Sequence, residues 1–185
     1  ILTKIDGTTT NLPPAGTFTA FFAGDPTYAV DAAPGDGNCA TATGGCTLRA
    51  CIQESNALAG EQTCILGGPT FAYNISIAGT GEDNAATGDL DCKDPLVILG
   101  AGTSVDANLI DRAFDIHSPG CRIFDLNIRN GQTANTSGDF SGGGIRVQTT
   151  FGGSSVQLVR TRLTNNKANT GGGLAVMNSS SATVT

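Results

Sequence analysis

The chain lacks tryptophan and carries one methionine, one histidine and two tyrosines. Charge is also scarce: 14% of the 185 residues are Asp, Glu, Lys or Arg, against about a quarter in ordinary soluble domains. Cations are the scarcer sign, with 10 Lys and Arg facing 16 Asp and Glu, for a net charge of −6. A nucleic-acid surface needs clustered cations to displace counterions from phosphates. Docking on anionic lipid has the same requirement, so the composition argues against both. No run of about 18 apolar residues occurs, so no helix is expected to span a membrane. There is no CxxC pair, and His117 has no second ligand near it in the sequence, so the spacings are not those of a zinc site. The opening residues hold no basic segment leading into an apolar one. We expect an exported chain, with Ile1 either downstream of a removed signal segment or within a longer precursor.

Glycine is abundant, at 26 residues, and mean hydropathy is +0.00. Low charge with much Gly, Thr, Ser and Asn suits a β-rich extracellular protein with many tight turns. The length suffices for one domain with a sizeable core. Six cysteines in an exported chain point to disulfides. Cys39 and Cys46 enclose a segment rich in Thr and Gly, flexible enough to meet the geometry of a short local bridge.

Only one stretch, about 47–59, predicts a helix. Thr47 can accept the N-cap hydrogen bond. Leu48, Cys51, Ile52, Ser55 and Leu58 recur at helical spacing, while Arg49, Gln53 and Glu54 fall mostly on the other side. Gly60 is placed to follow the C-cap. About three turns of helix are not stable alone in water, so the apolar face must cover something.

The rest reads as strands and turns. Ile1 to Ile5 alternates loosely, and Asp6-Gly7 and Leu12 to Gly16 interrupt. Thr17 to Phe22 is β-branched and aromatic, and Tyr28 to Val30 predicts a shorter strand. Phe21 and Phe22 read as core or contact surface. Beyond the helix, strands are expected at Cys64 to Leu66, Phe71 to Ile77, Leu96 to Leu99, Ala113 to Ile116 and Cys121 to Ile128, the last bending near Asp125. Gly79 to Asp94 reads as an acidic loop.

A repeat organises the second half. Asp125 to Asn135 resembles Thr161 to Asn169, and each is followed by a glycine triplet and an apolar residue. The triplets are Gly142, Gly143 and Gly144 before Ile145, and Gly171, Gly172 and Gly173 before Leu174. Asn130 and Asn165 correspond at a distance of 35 residues, and the triplets at 29. The difference predicts an insertion around Ser137 to Ser141. Short strands repeating at such a period indicate a solenoid of stacked parallel strands. Asn at its corners can build a ladder, and Gly permits positive φ there. The helix would lie over the first rung and cover its otherwise unpaired edge.

The stretch from Cys39 through Cys46-Thr-Leu-Arg-Ala-Cys-Ile-Gln-Glu-Ser-Asn56 resembles the signature of CSLREA-domain proteins. Asp31, Asp36 and Gly37 ahead of it also fit, as do Gly79 to Asp83, Gly88 to Asp91 and Leu96 to Gly102. Ile128-Arg-Asn-Gly131 and the glycine triplets look like rungs of such proteins and of chlamydial polymorphic outer-membrane proteins. The likeness runs from about Tyr28 to the end. It implies a secreted or surface-attached bacterial protein, all-β, folded as a right-handed, pectin-lyase-like parallel β-helix with one N-terminal capping helix. Residues 1–60 would hold the N-terminal strands, disulfide loop and cap, and 61–185 the rungs, as one continuous domain. Ala50 and Cys51 depart from the signature, and Cys64, Cys92 and Cys121 stand where apolar or β-branched residues are expected. These departures suggest two further bridges, Cys51–Cys64 and Cys92–Cys121, with free buried thiols as the alternative.

Candidate chemistry is sparse. Asp89 and Asp91 form an Asp-x-Asp near Asp83 and Asp94, but no second acidic cluster accompanies them as glycoside hydrolysis would require. Arg146 and Arg160 are candidate bases of a lyase, but exterior decoration is their default reading. Asp31 and Asp36, or Asp83, Asp89 and Asp91 with Glu82, offer oxygen ligands to calcium, otherwise no cofactor is expected. His117, beside Ser118-Pro119-Gly120, reads as a turn residue.

Two functional readings follow. The first is a non-catalytic extracellular or cell-surface scaffold, adhesin or sheath component, meeting proteins or cell-surface polysaccharides. The second is a polysaccharide lyase or hydrolase on the same fold. Thr183 to Thr185 begins a strand where the sequence stops. More protein is therefore expected beyond it, or a neighbour that covers the open rung by head-to-tail self-association.

Overall fold

The computed structural model describes residues 19–133, 140–148 and 153–185. The expected strand at Ile1 to Ile5 and most of the insertion around Ser137 to Ser141 fall outside them. The elements are β1 (Thr19–Ala23), α1 (Leu48–Ala57), β2 (Gln62–Leu66), β3 (Ala72–Asn74), β4 (Leu90–Cys92), β5 (Leu96–Leu99), β6 (Ser104–Asp106) and β7 (Phe114–Ile116). There follow β8 (Pro119–Phe124), β9 (Asn127–Arg129), β10 (Ile145–Val147), β11 (Ser155–Val159), β12 (Arg162–Thr164), β13 (Leu174–Val176) and β14 (Ser181–Val184). The described chain is therefore mostly β, with a single helix.

The strands form three sheets: β1-β2-β5-β8-β11-β14, β3-β6-β9-β12 and β4-β7-β10-β13. Every pairing is parallel. From β2 onward the chain visits the sheets in fixed rotation. Register aligns like with like. Phe21, Cys64, Ile98, Ile123 and Leu158 occupy successive paired positions, as do Tyr73, Val105, Ile128 and Leu163. These columns join one apolar cluster drawn from all three sheets and from α1. Removing such area from water is the main favourable term, at roughly 25 cal/mol per Å².

Corners explain why some strands are shorter than the apolar pattern suggests. Cys121 to Ile128 divides into β8 and β9 at Asp125, whose φ is +52°. Asn130 and Asn165 hold the same left-handed conformation, at +55° and +54°. Asn130 donates its amide to Asp106 (3.0 Å), and it is Asn166 that spans to the preceding strand, through Gly131 N–H and the Ile128 carbonyl. The glycine triplets stack, with Gly144 N–H donating to the Gly172 carbonyl and Ile145 N–H to that of Gly173. A Cβ on Gly143 would lie 2.5 Å from the Lys167 carbonyl oxygen. Tyr28 to Val30 forms no strand, and β4 lies inside the expected acidic loop.

Helix α1 packs on β1, β2 and β4. Thr47 caps it, accepting from Ala50 N–H at 2.9 Å. At the other end Leu58 is the C-cap, and Gly60 takes its positive φ two residues later. Leu48, Cys51 and Ile52 enter the core, with Leu58 at its margin. The expected polar side is also buried: Arg49 is 2% exposed and Glu54 0%. Loops on both flanks supply the reason. Glu54 accepts from Gly35 N–H and Gly37 N–H. Arg49 donates to the carbonyls of Ala85, Gly88 and Asp89.

Two disulfides are present, Cys39–Cys46 and Cys51–Cys64, the second tying α1 to β2. The expected Cys92–Cys121 bridge is not formed, and both residues are buried free thiols. Cys92 ends β4 and Cys121 lies in β8, so they reach the core from different sheets. The neighbouring Cys121 thiol, with burial, pushes Cys92 well above its ordinary pKa.

Candidate functional site

The four-stranded sheet β4-β7-β10-β13 is built of three-residue strands. Their first and third side chains, such as Leu90 and Cys92, Phe114 and Ile116, and Ile145 and Val147, belong to the core. Strand alternation therefore turns the middle residues to the opposite face. They align as Asp91, Asp115, Arg146 and Ala175. That face is not open to solvent: Asp91 is 0% exposed, Asp115 1% and Arg146 9%.

A buried charge needs partners, and this face supplies them. Arg146 Nε lies 3.0 Å from both Asp115 oxygens, and its Nη2 also donates to Oδ2. Arg112 pairs with Asp89 at 2.7 Å and lies 3.9 Å from Asp111. Asp91 Oδ2 accepts from Ala85 N–H at 2.7 Å, which fixes the carboxylate against the preceding loop. Its Oδ1 is buried with no hydrogen-bond partner. His117 Nε2 stands 3.2 Å from Asp115 Oδ2 and 3.8 Å from Asp91 Oδ1 and Asp83 Oδ1.

Acidities split across the face. Burial, then the neighbouring Asp89, push Asp91 up to about 9. Burial and Asp111 raise Asp89 to about 7, against the pull of Arg112. Burial also acts upward on Asp115, but hydrogen bonds from His117 and Arg146 outweigh it and hold that carboxyl down at about 2. The same bond to Asp115 raises His117 against its own burial.

Of the five aspartates expected to offer ligands, only Asp83 and Asp91 converge, and Asp115 and His117 complete their group. Asp89 is committed to Arg112. Asp31 is a loop staple, accepting from Ala33 and Ala40 N–H while its own N–H donates to Gln53. Asp36 closes a local turn with Asn38 N–H. Cys39, Cys46 and Cys51 also lie together, but disulfides occupy them. His117 lies in the short connection between β7 and β8, and from there its imidazole reaches the charged face. Arg146 lies on an exterior sheet face, but buried and paired. Arg160 remains exposed, bound to Asp125 at 2.6 Å. Asp115 was not among the sequence candidates. The signal for it was the recurring triplet of a charge between two apolar residues: Leu90-Asp-Cys92, Phe114-Asp-Ile116, Ile145-Arg-Val147.

Comparison of the chain with protein-family models, with characterised proteins and with solved structures returns no match. No helix among the described residues is long and apolar enough to cross a membrane.

Proposed function

We propose that the chain is a right-handed parallel β-helix capped by α1, and that it serves as an extracellular or cell-surface scaffold that adheres through one long face. The three-sheet rotation and the likeness to CSLREA-domain proteins support the architecture. Two disulfides suit an oxidising compartment.

One observation carries the function. The outer side of the six-stranded sheet bears an unbroken apolar column: Phe22, Ile65, Leu99, Phe124 and Val159 at paired positions. Phe22 is 65% exposed, and Ile65 and Leu99 37% each. At the ~4.8 Å spacing of paired strands, five positions run roughly 19 Å. A contiguous exposed apolar stripe marks a contact surface. Three of its five residues are aliphatic, which fits a protein partner better than the aromatic platform a sugar ring stacks on. Arg122 and Gln157 flank it one column away, as a polar rim does. The edge strands β12, β13 and β14 offer a separate route to self-association.

The test is binding of labelled protein to intact cells. Phe22→Ser with Leu99→Ser should weaken it at least about tenfold without loss of fold, because both side chains are exposed. Undiminished binding would remove the adhesive reading. The convergence of Asp83, Asp91, Asp115 and His117 favours the second reading, a carbohydrate-active enzyme. Release of reducing or unsaturated ends from a polyuronate panel would establish it in place of the first.

A further inference from the structure

We propose that Asp83, Asp91, Asp115 and His117 form a binding site for a divalent transition-metal ion of the zinc type, which fastens the 79–88 loop to the face of β4 and β7. The inference stands on the local geometry and does not depend on the adhesive reading.

Four observations lead there. The ligand atoms of these residues all lie within 4.8 Å of one another. A tetrahedral ion with bonds of about 2.0–2.1 Å holds its ligands roughly 3.3–3.5 Å apart, and the distances from His117 Nε2 are 3.2, 3.8 and 3.8 Å. Modest side-chain adjustment would bring them onto one ion. The second observation is Asp91 itself. The residue is fully buried, and while Ala85 N–H takes one oxygen, the other has no hydrogen-bond partner and faces His117. His117 Nε2, also buried, borders the same gap, 3.2 Å from Asp115 Oδ2 and 3.8 Å from Asp91 Oδ1. Burying an oxygen such as Asp91 Oδ1 without a partner costs about 1–3 kcal/mol, and a cation in the gap would offset it.

The third observation is charge. Asp89, Asp91, Asp111 and Asp115 are buried with Arg49, Arg112 and Arg146, and the exposed Asp83 joins them. Carboxyl groups outnumber guanidiniums in this cluster by five to three, so a cation entering it meets more acidic than basic side chains. The fourth is ligand type. Calcium and magnesium prefer all-oxygen sets, whereas an imidazole nitrogen among carboxylates suits zinc and its neighbours. Outer partners that orient the ligands are present as well: Ala85 N–H on Asp91 and Arg146 on Asp115, the arrangement by which metal sites hold ligand geometry.

The chain has a single histidine, which makes the test direct. Tag-free full chain, freed of metal with chelator, is titrated with zinc chloride by calorimetry and by nitrogen NMR of the one imidazole. We expect one equivalent to bind and the His117 Nε2 resonance to shift. Asp91→Asn and His117→Ala should each weaken binding more than ~100-fold, while Asp36→Asn leaves it unchanged. Calcium chloride should bind more weakly than zinc and leave the imidazole unmoved. No zinc binding, zinc binding with unmoved imidazole resonances, full affinity in folded Asp91→Asn, or calcium binding as tight as zinc would each overturn the proposal. The NMR experiment uses the wild-type chain, so it decides the matter even if a variant fails to fold.

Discussion

Asp91 and Asp115 sit side by side in register on β4 and β7, equally buried, yet one carboxyl is pushed up to about 9 and the other held at about 2. Arg146 and His117 side with Asp115, and Asp91 receives only a backbone N–H. A single sheet face thus keeps one acid ionised and its neighbour protonated.

In chelator, this split sets the direction of pH dependence. Asp89 and Asp91 have folded values, about 7 and about 9, above the ordinary ~3.9 of an unfolded Asp. Their contribution to stability is complete below about pH 4 and is lost as pH rises through 7 and 9. His117, also raised, acts in the same sense from about pH 6.5 upward. Asp115 acts oppositely, its contribution being lost as pH falls through about 2. The unfolding free energy from urea melts should therefore be higher at pH 5 than at pH 8.5, by at least about 2 kcal/mol, given about 1.4 kcal/mol per tenfold change in proton affinity, and the midpoint should move with it. Equal midpoints would contradict the protonated state assigned to Asp91.

Arg146→Met should destabilise the chain by about 3–5 kcal/mol, because it strands Asp115 as a buried charge. Asp115→Asn combined with Arg146→Met should cost less than the two changes summed. Additive losses in a urea-melt double-mutant cycle would show that the pair is not coupled.

A paired substitution isolates the contribution of the bridge between α1 and β2. Cys51→Ser with Cys64→Ser opens a link across 13 residues of sequence, worth about 3 kcal/mol by chain entropy. Thermal unfolding should shift downward accordingly. Alkylation without reductant should label two thiols per chain, Cys92 and Cys121, and only after unfolding, since both are buried. Finding none would restore the third bridge.

Gly143→Ala and Gly68→Ala make a matched pair. The first places a methyl 2.5 Å from the Lys167 carbonyl oxygen, while around the second there is nothing within 4 Å. Gly143→Ala should cost about 1–3 kcal/mol and Gly68→Ala within about 0.5 kcal/mol. Urea melts of the two variants check this, and equal losses would mean the triplets tolerate separation.

What the sequence discloses here follows the range of the forces involved. Thr47 and Leu96 to Leu99 were readable because capping and a short apolar run are local. The bend expected near Asp125 was readable from the change in pattern there, although it is a left-handed corner that ends one strand and starts another. Burial of Arg49, Gln53 and Glu54 was not readable, because helical periodicity cannot show that loops at 31–37 and 82–89 cover the polar side. β4 hid inside an acidic segment because three residues are too few to establish alternation. Asp115 was missed for a further reason: its partners Asp91 and Arg146 lie on strands more than 20 residues away, and only lateral register brings Asp91 beneath Asp115. Cys92 and Cys121 are neighbours in the core, as their pairing required, but they stand there as free thiols.

The rotation of the chain through three sheets bears on how such a molecule grows. Each strand from β5 onward pairs back to one only three strands earlier in the chain, so the loop closed by each new pairing stays near one size however long the protein becomes. The entropic cost of adding a turn is then constant. A gene that duplicates one such unit would lengthen the product without making it harder to fold, and the matched segments around Asn130 and Asn165 have the form such a duplication would leave behind.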